Sequence, residues 1–216
     1  MLVEEIMTKD VITLPPTATI AQGLRLLQDY RIRHIPIVDE QYHVIGIVSD
    51  RDIRDASPSI FIKNGNHQEL QNEIQTIMSS PVISVHPLDF VEEIARVFHD
   101  KEIACLPVVQ NYKLVGVVTE KDMLYTLIQL TGTNVQSSLI EVKVLDIPGM
   151  LPGVTAILGK RNVNIVSVLI YPYKDDPDYK ILVFRIQTMN PTPVIQDLRN
   201  AGYNLLWPNN ISEPKL

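Results

Sequence analysis

Residues 35–53, IPIVDEQYHVIGIVSDRDI, are read again at 106–123 as LPVVQNYKLVGVVTEKDM, one residue shorter. Working outward, Ile6-Met7 falls in register with Ile77-Met78, Val11-Ile12 with Val82-Ile83 and Pro16 with Pro87, so Ile6 to Ile53 recurs from Ile77 to Met123. Duplication on this scale means two copies of one supersecondary unit, each too small to bury its apolar face alone. The copies are expected to pack on each other and to leave two related clefts between them. Clefts between packed units are where small ligands are held.

Each copy reads as strand, helix, strand, strand, helix. Val11-Ile12-Thr13-Leu14 is β-rich and is stopped by Pro15-Pro16. Thr19 and Gln22 have the spacing of a capping box ahead of the stripe Ile20, Leu24, Leu27, and Asp89 with Glu92 is expected to cap the second copy's helix, with its stripe Val91, Ile94, Ala95, Phe98. Ile35–Val38 and Val44–Val48 form a hairpin about the polar turn 39–43, and Leu106–Val109 with Leu114–Val118 repeat it.

The chemistry concentrates at the last junction, Gly46-x-x-Ser49-x-x-Asp52 and Gly116-x-x-Thr119-x-x-Asp122. Glycine in a strand permits close approach of another group. The hydroxyl and the carboxylate that follow lie on one side of the helix start, where they serve either as an N-cap or as a grip on a sugar diol beside a phosphate. Recurrence in both copies supports the binding role. Arg31, Arg33 and His34 precede the proline strand of copy one and Arg51 sits in its junction; copy two has Glu102, Ala104 and Cys105, with Lys121 at its junction. Guanidinium forks match phosphate, so the copy-one residues are expected to dominate the affinity for a phosphate-bearing ligand. The bland alternatives are solvated arginines and a structural His34. His43, His67, His86 and His99 show no metal spacing.

These residues carry a resemblance: two copies of strand, helix, hairpin, helix, with a proline strand and Gly-x-x-Ser/Thr-x-x-Asp, resemble a tandem pair of CBS domains, the Bateman module. The resemblance covers about residues 1–131 and implies CBS domain 1 at 1–56, a linker at 57–73 and CBS domain 2 at 74–131. It implies a ligand such as AMP, ADP, ATP, NAD or S-adenosylmethionine. Carried over, its contacts are Ile12, Thr13, Ile35, Pro36, Ser49 and Asp52 from copy one, and Ile83, Ser84, Leu106, Pro107, Thr119 and Asp122 from copy two; the charge argument adds Arg33, His34, Arg51 and Lys121 to the expected nucleotide site.

Composition bounds the rest. The chain has 216 residues, 45% of them hydrophobic and 20% charged, which is ordinary for a globular protein. Net charge is -6, so no basic field attracts a phosphodiester backbone and direct nucleic-acid contact is not expected. There is no apolar run long enough to span a bilayer, the N-terminus lacks a secretory pattern, and a cytoplasmic protein is expected. One cysteine, Cys105, excludes an internal disulfide and reads as a buried thiol. No nucleophile elbow, metal set or Gly-rich dinucleotide loop favours an enzyme, and no catalytic residue or cofactor is expected.

Beyond a boundary at 131–138, the pattern is βαββαβ: a strand at 140–145, a turn at 146–151, a helix reaching Arg161, strands near 165–171 and 181–187, a helix at 192–201 and a last strand at 203–207. Such an order predicts a ferredoxin-like antiparallel sheet with helices on one face, so the fold class is mixed α/β (α+β). With Asp146-x-Pro148-Gly149-x-Leu151 and Asn164-Ile165, residues 138–216 resemble an ACT domain. The resemblance implies either a dimerisation element or an amino-acid effector site at Asp146, Pro148, Gly149, Met150, Asn164 and Ile165. Pro152-Gly153 in the first helical turn is expected to shorten or shift that helix. The whole order, with 56–61, 86–94 and Thr188-Met189-Asn190-Pro191, resembles the acetoin utilization protein AcuB family. It implies a protein associated with acetoin or butanediol breakdown without fixing its molecular task. The whole chain is expected to be a ligand-sensing regulator, a two-fold homodimer acting on a partner enzyme; the alternatives are a structural adaptor that binds no nucleotide and an enzyme of acetoin breakdown.

Overall fold

Hairpins form where β-branched runs flank polar turns, and both copies comply. In the computed structural model, which describes residues 1–56 and 69–208, β1 (His34–Val38) pairs with β2 (Val44–Ser49), and β3 (Cys105–Gln110) with β4 (Lys113–Thr119), both antiparallel. Helices α1 (Ile20–Tyr30), α2 (Asp50–Asp55), α3 (Val91–Lys101) and α4 (Glu120–Thr131) accompany them. Part of the linker at 57–73, with its Ser57-Pro58 and Asn64-Gly65-Asn66 turn signals, lies outside the described residues, as does His67. The chain divides into two compact units, Met1–Leu124 and Tyr125–Leu216.

In the first unit the sequence copies are not the structural halves, because each copy's leading arm is exchanged. Thr8 donates its N–H to the Val117 carbonyl on β4 at 2.9 Å and accepts from the Val117 N–H at 3.0 Å; Ser79 and Ile47 on β2 repeat the pair at 2.9 and 3.1 Å. Val3 is buried with Val85, Phe98, Leu106 and Val118 of copy two, and Ile74 with Ile20, Leu27, Ile35 and Val48 of copy one. The exchange explains the strand glycines. A Cβ on Gly46 would stand 2.2 Å from the Met78 sulfur, and one on Gly116 2.7 Å from the Met7 sulfur. The close approach predicted at these glycines is therefore made by a methionine from the other copy's arm.

Two local expectations change. Val11–Leu14 is no full strand: Leu14 alone bridges Ile37, donating to the Pro36 carbonyl at 3.2 Å and accepting from Val38 at 3.0 Å, while Pro15 ends the run. Pro36 thus faces this sparsely paired side, where a missing N–H is tolerated, and Pro107 accepts from Val85 in the same way. Thr19 caps α1 in a capping box with Gln22, but the equivalent position before α3 is Phe90. Asp89 does not cap; its carboxylate accepts from the His86 N–H at 2.7 Å, closing the preceding turn.

In the second unit β5 (Ser138–Leu145), β6 (Ile165–Pro172), β7 (Tyr179–Ile186) and β8 (Asn204–Trp207) form one antiparallel sheet in the order β6-β7-β5-β8, the ferredoxin-like arrangement. Ile140, Val142, Val144, Leu182, Phe184 and Ile186 face α5 (Met150–Lys160) and α6 (Thr192–Asn200) through Val154, Leu158, Val194 and Leu198. Pro152 neither shortens nor shifts α5, which starts at Met150. As its third residue, Pro152 lacks an N–H that would have no intrahelical partner. Gly153 is required for packing, since a Cβ there would meet the Tyr203 hydroxyl at 2.2 Å.

Because the Gly46–Met78 contact joins two copies, Gly46→Ala is expected to lower stability by about 1–3 kcal/mol through overpacking. Gly46→Ala combined with Met78→Ala is expected to cost less than the sum of the two single changes. Denaturant midpoints of the four-member cycle check this; strict additivity would show that the contact is not made.

Candidate functional site

Ser49 and Thr119 end β2 and β4 in extended backbone and open the helices that follow. Ser49 donates its N–H and hydroxyl to Asp52 Oδ2 at 2.7 and 2.6 Å, and its hydroxyl accepts from the Asp52 N–H at 3.2 Å. Thr119 does the same with Asp122 at 2.8, 2.7 and 3.4 Å. The repeated motif is therefore a capping box in both copies, and capping fixes each carboxylate's orientation before any ligand arrives.

The arm exchange decides which residues meet. A cleft of ≈ 540 Å³ is walled by Thr8, Asp10, Val11, Ile12 and Arg31 to His34 from copy one, and by Ala104, Cys105, Val117 and Thr119 to Asp122 from copy two. Of the residues expected to bind nucleotide, Ile12, Arg33, His34, Thr119, Lys121 and Asp122 come together here. Ser49, Arg51 and Asp52 do not line it, so Arg31 and Arg33 meet the junction of copy two here, while the Arg33 carbonyl also accepts from the Asp50 N–H of its own junction at 2.8 Å. Thr13 and Ile83 also stand outside this cleft. Ser84 borders two depressions beside the hairpin turns, one of ≈ 400 Å³ with His43 and Tyr112. Ile35, Pro36, Leu106 and Pro107 are buried in the hairpin cores and do not reach the cleft.

Thr8, Asp10 and Val117 escape motif reading because they meet only through the exchanged arm. Arg31, Arg33 and Lys121 take part in no ion pair among the described residues. They bring three cations to a cleft whose acids are Asp10, Glu120 and Asp122. Burial pulls the His34 pKa below its ordinary value; Asp50, Asp52 and Glu120 oppose the shift and Arg33 reinforces it. The ring is neutral at pH 7, able to donate from one nitrogen and accept at the other. Cys105, at the matching position of the repeat, is buried, and burial with the Asp122 charge pushes its thiol up to about 12. It is a packing group rather than a nucleophile.

In the second unit the six positions of the expected amino-acid site do not converge within one chain. The loop from Asp146 to Met150 follows the Leu145 end of β5, whereas Asn164 and Ile165 open β6 at the Ser138 end, because both strands pair antiparallel with β7. Seven residue steps of ~3.4 Å, roughly 24 Å, lie between the two ends. Asp146 is paired with Lys180. Asn164 donates its side-chain amide to Gln187 Oε1 at 3.1 Å. Pro148 is exposed, and Gly149 has φ 93° with open space around it, so a left-handed turn rather than close packing requires glycine there. Met150 and Ile165 rest against the core.

Comparison with known proteins follows this division. A CBS domain-containing protein of Dictyostelium discoideum is 29% identical over 135 residues, covering 60% of this chain and 93% of its own length. A solved structure described as an acetoin utilization protein (AcuB) of Vibrio cholerae is 32% identical, with a TM-score of 0.54, over 64% of this chain and 98% of that one. The CBS domain pair of protein MJ0100, solved with 5'-methylthioadenosine and S-adenosyl-L-methionine, is 30% identical, with a TM-score of 0.51, over 59% of this chain and 95% of that one. Several further curated relatives are matched over a minority of their length, 23% for the homoserine O-acetyltransferase of Methanohalobium evestigatum. The CBS domain model matches residues 3–59 and 74–129, and the ACT domain model matches 138–202. The chain belongs to the CBS domain family, as a tandem CBS pair followed by an ACT domain.

Proposed function

We propose that this protein is a non-catalytic regulator that senses an adenosine-containing ligand in the cleft between Arg31–His34 and Thr119–Asp122. The observation that carries the reading is the meeting of a pre-oriented carboxylate, a hydroxyl and three cations that take part in no ion pair among the described residues, in one cavity built from both copies. A ribose diol donates to Asp122, the phosphates lie toward Arg31, Arg33 and Lys121, and Ile12 with Val11 covers the base. MJ0100's pair, 30% identical, is solved with two adenosyl ligands, which supports the ligand class. A ligand that bridges the two walls favours one packing of the copies over another, and that difference in affinity is the signal. Likeness to the Vibrio cholerae structure supports a task alongside acetoin utilization.

The second unit supplies assembly. Strand β6 is a sheet edge whose sequence, IVSVLIYP, has no charged residue, and Leu169, Ile170 and Tyr171 are exposed along it. Uncharged edges pair with another strand unless blocked. Pairing of β6 with β6 of a second copy, antiparallel about a two-fold axis, yields the homodimer. It also carries the second copy's Asn164 and Ile165 toward the Leu145 end, where the Asp146–Met150 loop lies, so an amino-acid site drawing on both groups needs two chains.

Titration calorimetry with AMP, ADP, ATP, NAD and S-adenosylmethionine tests the first reading. Asp122→Asn keeps one capping oxygen but lacks the charge, and is expected to weaken the best ligand about tenfold. No binding by the wild type, or equal binding by the variant, counts against the cleft. For the assembly, sedimentation is expected to give twice the 24.4 kDa chain mass for the wild type and a single chain mass for Ile170→Lys. A dimer that persists in the variant removes β6 from the interface.

A further inference from the structure

The two copies hold one matching position in the same unusual backbone conformation and place opposite charges there. Arg31 closes α1 and Glu102 closes α3, each at φ 52°. A left-handed residue after a helix is ordinarily glycine, which carries no Cβ penalty. Neither copy uses it, and a charged side chain kept in such backbone is a mark of ligand sites. Arg31 lines the cleft described above. The internal symmetry that relates the Thr8–Val117 bridge to the Ser79–Ile47 bridge relates this cleft to a second one, in which Glu102 stands for Arg31, Ala104 for Arg33, Arg33 and His34 for Ala104 and Cys105, and Ser49 and Asp52 for Thr119 and Asp122.

We infer that Arg31 makes the first cleft selective for a phosphate-bearing ligand, and that Glu102 closes the matching cleft to phosphate. This rests on the adenosine reading of the cleft. A guanidinium fork offers two parallel donors to phosphate oxygens, while a carboxylate at the equivalent place repels the same group. Ala104 and Cys105, which border the first cleft from copy two, correspond to Arg33 and His34 in the second, so its charges are Glu102, Asp50 and Asp52 against Arg33 and Arg51, one cation fewer than the first. One chain then takes one phosphorylated nucleotide, in a fixed orientation.

Calorimetry and thermal melting of the full chain with ATP and with adenosine test this. The wild type is expected to bind one equivalent of ATP at least tenfold more tightly than adenosine. Arg31→Gly removes both the charge and the backbone strain. It is expected to melt no lower than the wild type, to lose at least tenfold in ATP affinity and to bind adenosine within twofold of the wild type. Glu102→Arg is expected to raise the ATP stoichiometry to two. Two equivalents of ATP on the wild type, or an Arg31→Gly protein whose preference for ATP over adenosine is unchanged, would overturn the assignment; an unchanged stoichiometry in Glu102→Arg overturns the part given to Glu102. Should Arg31→Gly fail to fold, the strain argument falls, and Arg31→Gln carries the same binding comparison. A wild type that binds neither probe defeats the adenosine reading itself, a result distinct from binding without charge preference.

Discussion

Each half of the CBS pair closes its core with an arm that belongs to the other copy. Val3 and Ile74 are fully buried in the opposite half, and Met7 and Met78 enter the spaces left by Gly116 and Gly46. Neither copy can satisfy its apolar face alone, and the exchange makes the pair one cooperative body rather than two linked ones. The same exchange sets Thr8 and Asp10 against β4 and draws both walls of the cleft from different copies. A ligand between those walls therefore touches the contact on which the fold of the unit depends.

At the junctions, structure and chemistry use the same atoms. The capping box that starts α4 holds the Asp122 carboxylate by two donors from Thr119, so its direction is set by helix formation rather than by ligand. Around it the cleft carries Arg31, Arg33 and Lys121, outside any ion pair among the described residues, beside a neutral, half-buried His34. Cys105 at the matching position keeps its proton under burial. An array of exposed cations, one oriented carboxylate and an inert thiol is equipped for holding a ligand, and the proposed sensing role asks no more of it.

The ACT domain meets a different constraint. Its core is complete on the helical face of the sheet, where Phe184 and Leu182 meet Leu158 and Leu198, yet β6 leaves an uncharged edge with exposed Leu169, Ile170 and Tyr171. Such an edge invites a strand from another chain. The residues that the family resemblance groups into one effector site lie at opposite ends of this sheet, because β5 and β6 run in the same direction with β7 between them. Strand direction, not side-chain chemistry, dictates that separation.

The sequence by itself determined the repeat, the hairpins, the Thr19 cap and the βαββαβ order, because each is set by neighbours a few residues apart: alternation, capping spacing, proline and turn chemistry. It also marked Arg33, His34, Thr119, Lys121 and Asp122. It did not group them, and it misplaced Asp89 as a cap. Only the tertiary structure decided that the arms cross, that Gly46 and Gly116 admit methionine rather than ligand, and that the cleft joins one copy's arginines to the other's junction. The physical reason is that a residue pattern specifies which face must be buried but not which of two equivalent partners buries it. That choice is made by packing across the whole pair.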